Sequence, residues 1–170
     1  MNGLLIKIKH FDFLLAVLIV VIATLFSIVV YEHWMGMGFF MGQFRFSHWL
    51  TIIGTSYIAI ATPMFVVLRR LYPQKTKGLF RFHIFGNLMF FALISIHFAS
   101  QMGRSAANFP ELGTGLAMYI AMTLQVTFGF IQRFIPIKRN FKALRFIHAS
   151  LIIIFYAVIL FHVLHGLGIM

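Results

Sequence analysis

Residues 83–97 read HIFGNLMFFALISIH, and residues 148–162 read HASLIIIFYAVILFH. Both stretches begin and end in histidine, and in both those histidines stand 14 positions apart along an apolar chain. On an α-helix, 14 residues rise ~21 Å and fall ~40° short of four full turns. His83 and His97 therefore share one face of one helix, and His148 and His162 share one face of another. A rise of ~21 Å fits inside a hydrocarbon core of ~30 Å. Each stretch reads as a membrane-crossing helix with one imidazole towards each end.

The rest of the chain agrees with a membrane setting. Its 170 residues are 61% hydrophobic and only 10% charged, which is not the composition of a soluble globular domain. Five windows of spanning length can be read, at about 12–31, 49–68, 83–102, 114–134 and 146–166. The expected fold is an all-α polytopic helical bundle forming a single domain over residues 1–170. The connections are too short for a soluble nucleotide-binding domain, and no Gly-rich dinucleotide fingerprint follows a strand. Cysteine is absent, which excludes disulfides, thiolate metal sites and iron–sulfur clusters within this chain. Lys7 and Lys9 precede the first apolar run, but no small-residue cleavage site follows it, so it reads as a retained first span.

The net charge of +11 is unevenly placed. With five spans, the N-terminus and the loops 69–82 and 133–145 share one side. They hold Lys7, Lys9, Arg69, Arg70, Lys75, Lys77, Arg81, Arg133, Lys138, Arg139, Lys142 and Arg145. The other side holds Arg45 and Arg104 with Glu32 and Glu111. The positive-inside rule puts the N-terminus in the cytoplasm and the C-terminus outside. The basic loops read as topology and lipid-headgroup contacts, and they argue for a multi-pass protein of the cell membrane rather than a nucleic-acid binder.

The same topology sharpens the histidine reading. One span separates the two histidine-bearing helices, so both run from inside to outside. His83 and His148 then come at the inner level, and His97 and His162 at the outer. Two imidazoles at each level are the donor set for two b haems, one above the other. Ionisable residues inside spans are costly and mark function. His165 lies 17 residues after His148 and is rotated ~100° off the shared face, so His162 is the better outer ligand. Arg81 and Arg145 near the inner level and Arg104 near the outer are candidates to pair with haem propionates. His33, His48 and His165 fall on the outer side and form a candidate acceptor site.

Smaller signals attach to this frame. The segment Glu32–His48, rich in Gly, Met and Phe, is expected to lie in the interface as a re-entrant or amphipathic piece. Pro63 should kink the second span or mark its last turns. Gln125 in mid-span suggests an interhelical hydrogen bond. Gly86 and Gly129 allow close approach of another helix or a flat macrocycle. Asn87, beside the inner level, is a candidate to bond a haem propionate or a quinone. Asp12 reads as a helix N-cap.

The pattern resembles the ferric reductase-like transmembrane domain, the group of NADPH oxidases, ferric reductases and MsrQ-like haem membrane subunits. The resemblance rests on His83 and His97 in the third span and on His148 and His162 in the fifth. It is extended by Thr62-Pro63 followed by Arg69-Arg70, by Phe85-Gly86 leading to Leu93-Ile94-Ser95-Ile96-His97, and by Leu144-Arg145-Phe146-Ile147-His148. It covers roughly residues 48–165. It implies two b-type haems clamped between the third and fifth spans, and electron transfer across the membrane. That family usually has a sixth span, and several members carry a flavin and nicotinamide domain. Five spans alone imply a haem subunit that works with a partner redox subunit or flavoprotein. A quinone-linked cytochrome b anchor of a respiratory complex is the alternative, and a haem-free His-relay transporter is a more distant one.

Overall fold

The computed structural model describes residues 2–110, 113–135 and 141–166, with side chains from His10 onward. The side chains of Lys7 and Lys9, and the whole of Glu111, Lys138 and Arg139, lie outside the described residues. Five long helices account for most of the chain: α1 (Asn2–Tyr31), α2 (Phe46–Leu71), α3 (Thr76–Met102), α4 (Gly113–Phe134) and α5 (Phe141–Gly166). Five stretches are long and apolar enough to cross a membrane: His10–Tyr31, Phe46–Leu71, Pro73–Met102 (α3 with the short 3-10 turn ahead of it), Gly113–Phe134 and Phe141–His165. The protein is an all-helical, multi-pass membrane type, as its hydropathy indicates. The third helix starts earlier than its apolar window because the basic stretch Thr76–Phe82 is helical too. Backbone hydrogen bonding continues past the hydrocarbon edge, where Lys77 and Arg81 can extend towards water.

The chain divides into two compact units, Met1–Pro110 and Glu111–Met170. In the first unit, α3 packs against both α1 and α2. The buried residues of α1 include Ala16, Ala23 and Val30, seven apart, which makes a narrow stripe of small side chains. Such stripes let transmembrane helices approach closely. On α2, Gly54 does the same work. A Cβ there would stand 3.0 Å from the Phe90 carbonyl oxygen and 3.0 Å from Ile94 Cγ1 of α3.

Asp12 is not a helix cap. The first helix begins at Asn2, so Asp12 lies in its interior, and its side chain is only 2% exposed. Arg81 of α3 donates to its Oδ1 from Nη2 at 2.6 Å and from Nε at 3.0 Å. The physical reason is plain: a carboxylate in a low-dielectric setting needs an opposite charge and donors.

The segment after α1, expected to lie in the interface, carries a short pair of strands. Phe40–Met41 and Phe44–Arg45 form a small antiparallel hairpin. Gly42, at φ +68°, supplies the positive φ that the two-residue turn Gly42-Gln43 requires. Trp49 Nε1 donates to the Met41 carbonyl at 2.8 Å, and Phe39 stacks on Phe46, so the hairpin is tied to the start of α2. Pro63 lies inside α2, in the last turns before its end at Leu71.

The second unit is an antiparallel helix pair. Gln132 Nε2 donates to the Leu144 carbonyl near the connection, and Thr114 meets His162 at the far end. Met118, Ala121, Met122 and Gln125 make the buried side of α4, and Phe155 is the buried anchor of α5.

Candidate functional site

In the first unit, α3 holds His83 and His97. His97 is buried, and its Nδ1 lies 3.0 Å from the Ser47 carbonyl oxygen at the start of α2. A carbonyl only accepts, so Nδ1 carries the proton, and the neutral ring has its lone pair on Nε2. His48, the next residue on α2, meets the His97 ring edge-on at 5.1 Å. His83 is half-buried, with Phe65 of α2 stacked on it at 4.4 Å. Asn87, one turn further along α3, brings Nδ2 to 3.2 Å from His83 Nδ1. The Oδ1 of the same amide is buried with no hydrogen-bond partner. Turning the amide by half a turn satisfies that oxygen, which then accepts from Nδ1–H and gives His83 the tautomer of His97.

In the second unit, α5 holds His148 and His162, both half-buried against α4. His148 Nδ1 donates to the Gln125 carbonyl at 3.0 Å, which again leaves the lone pair on Nε2. His162 Nδ1 pairs with Thr114 Oγ1 at 3.1 Å. A glycine lies under each ring. A Cβ at Gly129 would stand 3.1 Å from His148 Cε1, and one at Gly115 would stand 3.3 Å from His162 Cε1. Gly115 and Gly129 are 14 residues apart, like the histidines that they accommodate. Helix α4 thus matches α5 period for period. The interhelical bond expected at Gln125 exists, but its carbonyl makes it; its own Oε1 is buried without a partner.

All four histidines thus have Nδ1 in a hydrogen bond, each made within the histidine's own unit. Two of the partners are main-chain carbonyls, which no reading of side-chain types reveals. The other two, Asn87 and Thr114, are side chains. A histidine that ligates a metal through one ring nitrogen characteristically hydrogen-bonds through the other, which fixes the ring and its tautomer. Among the described residues, no group of three or more His, Asp or Glu is placed to hold a metal ion alone. An axial haem site asks the protein for two imidazoles, the porphyrin supplying the remaining four nitrogens.

The arginines divide. Arg81 is held by Asp12. Arg145 is exposed on α5. Arg104 is half-buried just beyond α3; burial lowers its pKa below the usual guanidinium value, and the charge of Arg45 lowers it further. Of the outer histidines, His48 is brought against His97. His33 has φ +60° and packs by Gly103 at the end of α3, where its Cε1 is 3.4 Å from the Cβ position of the glycine. His165 is exposed on α5, in the second unit. At Gly86 it is another helix that approaches: a Cβ there would collide with the hydroxyl of Tyr57 on α2.

Comparison with protein-family models, with curated proteins and with solved structures finds no match for this chain.

Proposed function

We propose that this chain is a membrane b-type cytochrome that moves electrons across the cell membrane, between a separate donor or reductase and an acceptor on the far side. His83 and His148 are the proposed axial ligands of an inner haem b, and His97 and His162 those of an outer one. The observation that carries this reading is the Nδ1 hydrogen bond on every one of the four histidines, repeated at a 14-residue spacing on two helices. When bound, haem supplies one-electron chemistry that no side chain of this cysteine-free protein supplies. The residues of the chain do the rest: the imidazoles bind, their Nδ1 partners orient them, and the apolar helices exclude water.

The orientation follows the charge bias, with the N-terminus, the 69–82 loop and the 133–145 loop cytoplasmic. Those basic loops are the proposed docking side for a partner redox subunit or flavoprotein. His48, in contact with His97, is the proposed outer-side neighbour of the acceptor.

The test is the haem-to-protein ratio of the purified chain, with a reduced-minus-oxidised spectrum. Two low-spin b haems per chain are expected, falling to one in His97→Ala and in His148→Ala. Reduction by quinol but not by a flavin reductase would shift the reading to a quinone-linked anchor subunit. Absence of haem would overturn it in favour of a His-relay transporter.

A further inference from the structure

The four histidine bonds are not equivalent. His97 and His148 give their Nδ1 protons to main-chain carbonyls, of Ser47 and of Gln125. His83 and His162 are partnered by side chains, Asn87 at 3.2 Å and Thr114 at 3.1 Å. Grouped by the levels assigned above, each level has one imidazole with a main-chain partner and one with a side-chain partner. Substitution cannot delete a carbonyl, but it can delete or change an amide or a hydroxyl. We infer that Asn87 and Thr114 are positioning residues that set the two haem potentials separately, Asn87 through His83 at the inner level and Thr114 through His162 at the outer.

This inference rests on the haem reading above. The physical argument concerns the basicity of the ligand. An acceptor on Nδ1–H makes the imidazole a better electron donor through Nε2, which favours ferric over ferrous iron and lowers the potential. Removing the acceptor raises the potential; a stronger acceptor lowers it. The surroundings are built for each partner. Asn87 follows His83 by one helical turn and has a buried, unpartnered Oδ1 to offer. Thr114 precedes Gly115, whose missing Cβ makes room for the His162 ring. Loss of an outer-shell partner of metal-bound histidine changes metal affinity or activity by about tenfold or more, and the part of that change that falls on one oxidation state alone moves the potential. For a one-electron couple, a tenfold change in the ferric-to-ferrous ratio reads as about 59 mV.

The experiment is a potentiometric titration of the full chain in detergent, followed by optical and low-spin ferric spectra that resolve two components. Asn87→Leu is expected to raise one component, and Asn87→Asp to lower that same component. Thr114→Val is expected to raise the other, and Thr114→Ser, which keeps the hydroxyl, to restore it. Shifts of opposite sign from one position are not what a packing defect produces. If Asn87→Leu loses haem, Asn87→Asp still decides the matter; if Thr114→Val does, Thr114→Ala, which removes the hydroxyl with less bulk, takes its place and is expected to raise the same component. Full haem content with no shift, or with both components moving together in every variant, overturns this inference and leaves the haem reading standing. A wild-type chain without haem overturns both.

Discussion

The ion pair between Asp12 and Arg81 gives a prediction whose sign depends on which partner is removed. The two charges lie 69 residues apart in sequence and join α1 to α3. At a charge separation of ~4 Å and an effective dielectric near 20, their attraction is about 4 kcal/mol before desolvation. Breaking a fully buried pair costs about 3–5 kcal/mol, and breaking an exposed one about 1 kcal/mol or less. This pair sits between the two limits, and asymmetrically, since Asp12 is 2% exposed and Arg81 46%. Arg81→Leu removes the guanidinium that neutralises a carboxylate that cannot reach water, so the cost should be near the buried limit, about 3 kcal/mol. Asp12→Leu strands a long side chain that can extend to the interface, so the cost should be about 1–2 kcal/mol. Replacing both by Leu should return stability to within about 1 kcal/mol of wild type. Thermal unfolding of the purified protein in one detergent reads this directly, at about 2–4 °C per kcal/mol for a chain of this length. The expected order of Tm is wild type and double variant highest, then Asp12→Leu, then Arg81→Leu. A double variant as unstable as Arg81→Leu would refute the argument, and so would Asp12→Leu being the worse of the two single changes.

Three further outcomes follow from close contacts. Gly54→Val should destabilise the first unit by about 1–3 kcal/mol, because the new side chain meets the backbone oxygen of Phe90, which cannot move aside. Gly38→Ala, facing open space, is the silent control in the same melting assay. On the proposed haem reading, Gly129→Val should cut haem content towards one per chain by displacing the His148 ring, while Gly115→Ala, with a looser 3.3 Å approach, should leave haem content unchanged. Tyr57→Phe should be neutral or stabilising by up to about 1 kcal/mol, because it removes a buried hydroxyl that has no partner; a clear loss of stability would show that the hydroxyl is satisfied in the membrane.

Much of the fold was legible because the membrane imposes long apolar runs. The five windows name the five helices, missing mainly the basic first turns of α1, α3 and α5, where hydropathy falls but helix geometry continues. The hairpin at 40–45 had a signal in Gly42-Gln43 between aromatic and Met residues, but the apolar character of the segment dominated its reading. Asp12 misled because a lone acid near the start of an apolar run resembles a cap. Only the three-dimensional packing reveals Arg81 opposite it. At the site, the 14-residue spacing picked out four histidines, and all four prove to be held at Nδ1. Asn87 was visible as a neighbour at one helical turn, although not in its role as partner of His83. Ser47 and Gln125 could not be recognised, since they act through main-chain oxygens that every residue possesses.

The matching of α4 to α5 argues against treating the histidines as isolated polar residues tolerated in a bundle. A tolerated histidine needs one partner and can find it anywhere along a neighbouring helix. Here His148 and His162 each have a bond to Nδ1, and each has a glycine beneath the ring. Those glycines repeat the spacing of the histidines themselves. Glycine inside a helix costs roughly 1 kcal/mol relative to alanine. Two such residues under two half-buried rings therefore imply that ring placement matters more than helix stability at those positions. A proton relay would want rings that turn. These are braced from below and tied at one nitrogen, which suits a ligand that has to hold one orientation.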